Sequence, residues 1–352
     1  MKKFIAILCI APFIQLSARN ISDVVNANGK VTVNDIKELF VPSDAVGDTN
    51  KTDASNMKQG FWIERTGAYD WQGNYINGKR EGTWLAYPIG MPMISYLDTY
   101  RDGKKNGVSL GIDRSGYIFR QETYKDDSLD GMRRTFFTGG KLKTEEVYKN
   151  GKLNGSRKIY NSSNKVQEEG NFVNGVREGV AKWYYTDGKI NTESMYKGGI
   201  LEGKMITYHE NGNKASEVMY KNNEMEGAYV EFYESGKLKT TGNYVKSLEQ
   251  GVWTTTYESG KVYETGKYVD GKKEGNWNQM SEDGKTKVTL KYKAGTLLSG
   301  TPMDPKPIPA PPTTQSTPAP TTQPAGQQTK PAPATPATKP VPAPAQTPAK
   351  PH

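Results

Sequence analysis

The side chains that most often carry chemistry are scarce in this chain. Its 352 residues include one cysteine, Cys9, and two histidines, His209 and His352. A structural or catalytic zinc site draws on three or four Cys, His or carboxylate ligands, mostly the first two. A nucleophile activated by histidine needs a third group to orient the ring, and His209 would stand alone. One thiol cannot close a disulfide within the chain. No catalytic, metal-binding or cofactor-binding residue is therefore assigned, and the expected role is non-enzymatic.

The groups that remain suit binding. All 21 tyrosines and all six tryptophans lie between Trp62 and Tyr292. Flat aromatic rings could stack on a glycan, and lysines at chain reversals could meet an anionic polymer. Trp84, Trp253, Trp277, Lys272 and Lys273 are the candidate interaction residues on this reading. The alternative for the rings is cross-strand packing, at about 0.2–1 kcal/mol per pair. A further titratable set, Glu145, Glu169, Glu193 and Glu217, recurs every 24 residues. Equivalent positions on stacked hairpins lie about 9.6 Å apart, too far to share one metal ion. A hydrolase would need two carboxylates converging on one cleft. The row is instead expected to pair with lysines four residues earlier, Lys141, Lys165 and Lys189.

What must position these residues is a repeat. Glycines at 82, 107, 131, 155, 179, 203, 227, 251 and 275 are spaced by 25 residues once and by 24 thereafter. Seven positions before each is an aromatic: Tyr75, Tyr100, Tyr124, Tyr148, Phe172, Tyr196, Tyr220, Tyr244 and Tyr268. From Gly107 onward, nine positions after the glycine comes a second glycine, with Asn164 as the substitute in one repeat. Each period contains two runs of β-branched and aromatic residues separated by Asn-Gly, Asp-Gly or Ser-Gly, the pairs that tight hairpin turns favour. The glycines are read as turn positions. Pro88 and Pro92 fall in the single longer spacing, so an irregular connection is expected there. Period-two alternation places the tyrosine row on one face and charged residues on the other. The expected fold is all-β: a single elongated, ribbon-like antiparallel sheet of stacked 24-residue β-hairpins over residues 58–300. Nine to ten hairpins would extend it on the order of 90 Å.

At this level of detail the residues resemble a known family. Tyr75-Ile-Asn-Gly78-Lys-Arg-Glu-Gly82 and Tyr268-Val-Asp-Gly271-Lys-Lys-Glu-Gly275 resemble the core of the MORN repeat. Gly82-Thr-Trp84-Leu-Ala-Tyr87 is similar to the bacterial variant of that repeat, a family often labelled antitoxin-like. The resemblance covers about residues 58–300. It implies a β-hairpin fold and a binding role with no chemistry of its own.

The flanks suggest where such a protein would act. Lys2 and Lys3 precede an apolar run from Phe4 to Leu16, and Leu16-Ser17-Ala18 offers a small-residue cleavage site. Residues 1–18 are read as a signal peptide, too short to span a bilayer of about 30 Å. Residues 19–57 form a polar lead-in with four basic and six acidic residues, in which Val33 to Phe40 suits a short helix and the whole could cover the first hairpin edge. Residues 301–352 hold 17 of the 21 prolines and no Phe, Trp or Tyr. They are read as a disordered Pro/Ala/Thr-rich tail, either a spacer or an arm threading peptidoglycan.

The expected function is a protein-interaction scaffold in the bacterial cell envelope, in the periplasm or on the outer surface. Its expected partners are envelope proteins. A glycan- or peptidoglycan-binding module and an antitoxin-like neutraliser are the alternatives. No nucleic-acid partner is expected of an exported chain, nor a transmembrane segment once the signal is removed.

Overall fold

A computed structural model describes residues 49–303. The signal-peptide reading, the short helix at 33–40 and the tail beyond residue 303 lie outside the described residues. Within them all 23 elements are strands, from Lys51–Thr52 to Thr296–Ser299. Strands pair antiparallel with their sequence neighbours in one continuous open sheet. A two-residue strand, Ser128–Leu129, and the strand Gly131–Phe136 both pair with Ile118–Lys125, so together they form one interrupted arm. No helix among the described residues is long and apolar enough to cross a membrane.

Two kinds of turn alternate along the sheet. The tight turns are two-residue loops with both residues at positive φ, as in Asn174-Gly175 (52° and 86°) and Asp270-Gly271 (48° and 74°). This is the type I′ geometry that matches strand twist. The longer turns close with paired bonds, such as Gly188 N donating to Tyr185 O (2.9 Å) and Tyr185 N to Lys189 O (2.8 Å). The second glycine row occupies the positive-φ position of these turns, and Asn164 fills it at φ 61°, as asparagine can.

The first glycine row does something else. Gly179 and its equivalents have positive φ but lie inside strands, not in turns. Around Gly179 the pairing jumps from Glu169↔Lys182 to Asn171↔Glu178, and the same shift recurs at Gly203 and Gly251. These are β-bulges, which leave residues unpaired and sharpen the twist. The expectation that these glycines make turns is corrected: a left-handed residue is needed, but for a bulge.

Both margins of the sheet are stitched repeat to repeat. On the tight-turn margin, the N–H of the second turn residue donates back to the preceding repeat: Gly199 to Arg177 O (2.9 Å), Gly271 to Glu249 O (3.0 Å). The first turn residue's N–H meets a side chain that precedes a bulge glycine, as in Gly198 to Glu178 (2.7 Å), Asn222 to Glu202 (2.9 Å) and Lys246 to Glu226 (2.9 Å). On the long-turn margin, lysines donate forward to the next loop's carbonyl: Lys165 to Asp187 O (2.6 Å) and Lys189 to Glu210 O (2.7 Å).

The lead-in does cover the first edge where it is described. Lys51–Thr52 pairs with the start of Lys58–Thr66. Beside it, the Asn50 side-chain amide donates to Ile63 O (3.1 Å) and accepts from Ile63 N (2.8 Å), standing in for a strand residue. The irregular connection around Pro88 and Pro92 also forms. It brings Ile94 onto Leu85, Leu97, Leu110, Ile112 and Ile118, the largest apolar cluster.

Candidate interaction surfaces

The tyrosine face is built from two rows that meet across strands. Two residues before the row aromatics stands a small or acidic residue, except for Val218 before Tyr220, and opposite it stands the residue two after the bulge glycine. Near both ends of the sheet the pairs are Gly73–Trp84, Gly242–Trp253 and Gly266–Trp277. The glycine leaves a notch that the indole fills, since a Cβ at Gly242 would come within 2.1 Å of the Trp253 ring. Flanking tyrosines close around it edge-on. Trp277 contacts Tyr268 at 4.9 Å and Tyr292 at 6.4 Å between ring centroids.

The sequence-derived candidates therefore sit as follows. Trp84 is fully buried, Trp277 is 2% exposed and Trp253 is 8% exposed. Their rings face glycine and tyrosine, which leaves no open face for stacking on a sugar. Lys273 Nζ lies 3.9 Å from the Trp277 ring centroid and 2.9 Å from Glu264. Lys272 is exposed at the tight-turn margin. The structure brings Lys273 and Trp277 together. Lys272 lies off that face, and Trp84 belongs to a separate cluster near the other end.

In the middle of the sheet the same rows carry charge. Glu122 and Glu146, 4% and 7% exposed, replace the glycines. Arginines replace the tryptophans. Arg133 bridges Glu122 (3.2 Å) and Glu146 (2.8 Å), Arg120 reaches Glu122 (3.4 Å) and Arg157 reaches Glu146 (3.4 Å). Tyr124 and Tyr148 hydroxyls donate to the same carboxylates. Burial and the adjacent negative charge push the Tyr124 hydroxyl up to about 12. Asp98 forms the next rung, held by Lys105 (2.8 Å) and by the Ser109 hydroxyl (2.7 Å). Each buried charge is paired, as its removal from water requires.

The opposite face corrects one expectation. Glu145, Glu169 and Glu193 do not pair with the lysines four residues earlier. They meet the cation across the strand pair: Arg134 at 2.8 Å, Lys158 at 3.9 Å and Lys182 at 3.1 Å. Register decides this, because Glu145↔Arg134, Glu169↔Lys158 and Glu193↔Lys182 are direct cross-strand partners. The lysines of the long turns are engaged by loop carbonyls instead.

That face also exposes a set of large apolar side chains that the sequence reading did not single out. Val173 and Val176 are paired at the tight-turn margin, and Val180 is paired with Met195 further in. All four are exposed, as are Ile200, Met219 and Val252. For Val173, Met195 and Met219 the signal was present in the alternation, since each is one residue from its strand's aromatic. A shallow groove lies elsewhere, beside the irregular connection, lined by Asp70, Gln72, Tyr87, Pro88, Met91 and Pro92. Among the described residues no group of three or more His, Cys, Asp or Glu is placed to hold a metal ion.

Comparison with known proteins agrees with this repeat geometry. The family described as MORN repeat variant matches residues 129–150, 153–174, 177–197, 201–222 and 225–246. No curated protein matches the chain. Among solved structures, a chain in the crystal structure of GtfA/B complex bound to UDP and GlcNAc shares 13% identity. That match covers 32% of this chain and 22% of that one, with a TM-score of 0.16. Five segments between residues 129 and 246 thus match the MORN repeat variant, and they lie within a longer sheet of similar hairpins.

Proposed function

We propose that this chain is a non-enzymatic scaffold that is exported to the bacterial cell envelope and binds proteins through the face opposite the tyrosines. The observation that carries the binding surface is the exposed apolar set Val173, Val176, Val180, Met195, Ile200 and Met219. These residues occupy adjacent hairpins in register. Contiguous exposed apolar surface of this kind commonly marks a protein-binding site. The tyrosine face is committed to ring packing and ion pairs, so it offers a partner much less. The family's repeats support a binding role, and the residues of 1–18 support export.

The test is crosslinking in intact cells followed by mass spectrometry, comparing the parent with Val180→Glu/Met219→Glu. Both positions are exposed, so the double variant should fold. The expected result is recovery of an envelope protein with the parent and at least tenfold less with the variant. Equal recovery would move the binding surface elsewhere, and recovery of no protein partner would reject the scaffold. A reporter fused to residues 1–30 tests export separately.

A further inference from the structure

One residue pair at the tight-turn margin works against the sheet. Lys149 and Lys152 are direct cross-strand partners, and like charges set opposite each other destabilise a strand pair. The equivalent pairs in later repeats avoid this: Val173↔Val176, Lys197↔Ile200, Lys221↔Glu224 and Val245↔Leu248. The fold therefore does not require two cations at these positions. Arg101↔Lys104 is a like pair as well, but Asp102 stands in the turn between its members. The turn between Lys149 and Lys152 is Asn150-Gly151.

No ion pair relieves the two lysines. Lys149, Lys152 and, two turns on, Lys197 are exposed, and their ammonium groups have no partner among the described residues. The carboxylates that reach these turns are engaged by backbone: Asp130 accepts from Asn150 N (3.1 Å) and Glu178 from Gly198 N (2.7 Å). Further in on the same face, lysines do meet glutamates, as Lys158 meets Glu169 and Lys182 meets Glu193.

The unpaired lysines frame the apolar set. Lys149, Val173 and Lys197 hold the same place in successive repeats, each one residue after its strand's aromatic, so they share the face opposite the tyrosines. Lys152, Val176 and Ile200 hold the partner positions. Successive repeats are about 9.6 Å apart, a distance that about three residues of extended chain span. Along the margin the order is two cations, two valines, then a cation beside an isoleucine. Exposed apolar side chains bounded by unpaired cations complement a segment that is apolar at its centre and acidic at its ends.

Taking the chain as a scaffold that binds through this face, we infer that the segment docked on Val173, Val176 and Ile200 is an acidic peptide. Its carboxylates meet Lys149, Lys152 and Lys197.

The test titrates the full chain into three fluorescently labelled octapeptides and follows anisotropy. One carries two glutamates at each end of a Ser-Leu-Val-Ser centre. The second has lysines for the glutamates, and the third has serines for the leucine and valine. The first should bind saturably and at least about tenfold tighter than either of the others, and should weaken as salt rises from about 0.05 to about 0.5 M. Lys149→Glu should cost the first peptide about tenfold or more in affinity. That variant sets opposite charges across the strand pair, so its Tm should equal or exceed the parent value. Lys149→Gln, expected to cost about threefold, decides the matter if Lys149→Glu does not fold. Equal binding of the lysine peptide or of the peptide without leucine and valine, or an affinity unchanged in the folded Lys149 variants, would overturn the inference. So would the absence of binding; recovery of an envelope protein by crosslinking would then leave the scaffold standing with a partner of other chemistry.

Discussion

Gly266 and Trp277 share one volume: a Cβ placed on the glycine would lie 2.1 Å from the nearest indole carbon. The tryptophan is seated by its Nε1–H, which donates to Lys267 O at 3.1 Å, and by Tyr268 and Tyr292 on either side. The ring cannot retreat without losing all three. Gly266→Ala should therefore destabilise by about 1–3 kcal/mol through overpacking. Trp277→Ala should cost about 3–5 kcal/mol as a large-to-small change in a packed site. In the double variant the new methyl group enters the vacated space, so its loss should be smaller than the sum. Urea unfolding of the four proteins measures the cycle, and strict additivity would show that the pair is not coupled.

That coupling also marks where sequence reading stopped. The 24-residue period, the strand faces and the turn positions were legible because each repeats identically. The pairs Gly–Trp and Glu–Arg were not, because their members change from repeat to repeat. Asp98 to Ser109 and Glu122 to Arg133 are each eleven residues apart, the same offset as Gly266 to Trp277. A search for covariation at that offset would have joined them and assigned the tryptophans to packing. The bulge glycines were misread for a different reason. Positive φ is required in a bulge and in a turn alike, so residue type alone does not separate them. The exposed apolar face was visible in the alternation, but single exposed valines and methionines draw notice only once register sets them side by side.

The acceptors on the tight-turn margin should work through geometry more than charge. Glu226 accepts from Lys246 N at 2.9 Å, and in the next repeat Gln250 does the same for Asp270 N at 2.9 Å. An amide oxygen thus serves where a carboxylate does elsewhere. Glu226→Gln should change stability by less than about 0.5 kcal/mol, while Glu226→Ala should lose about 1 kcal/mol, the usual worth of one hydrogen bond. Denaturant midpoints decide it. If the glutamine variant loses as much as the alanine variant, the charge is what matters.

Lys246-Ser247 makes the same tight turn as the Asn-Gly pairs, with φ of 48° and 64°. Neither residue is suited to that conformation, and the turn exists because the flanking strands and the Glu226 bond impose it. Asparagine tolerates left-handed φ better than lysine does. Lys246→Asn should consequently stabilise the protein by about 0.5–1 kcal/mol, with the backbone bond to Glu226 retained. Calorimetry against the parent should show Tm raised by a few degrees. An unchanged or lowered Tm would mean that the lysine side chain contributes something the geometry does not reveal.

The aromatic face should also set an alkaline limit. Desolvation pushes the hydroxyls of Tyr100, Tyr124 and Tyr244 up to about 12, and nearby carboxylates such as Asp98, Glu122 and Glu249 add to the effect. Tyr229 is raised further by the same burial. In the unfolded chain these groups titrate near 10, so the folded state holds their protons more tightly. The stability linked to them is fully present below about pH 10 and falls as pH rises through 12. Tyrosinate absorbance near 295 nm should then rise late, with Tyr100, Tyr124 and Tyr244 ionising near pH 12 together with loss of β-sheet circular dichroism. A single early transition with the sheet intact would show that the row is open to water.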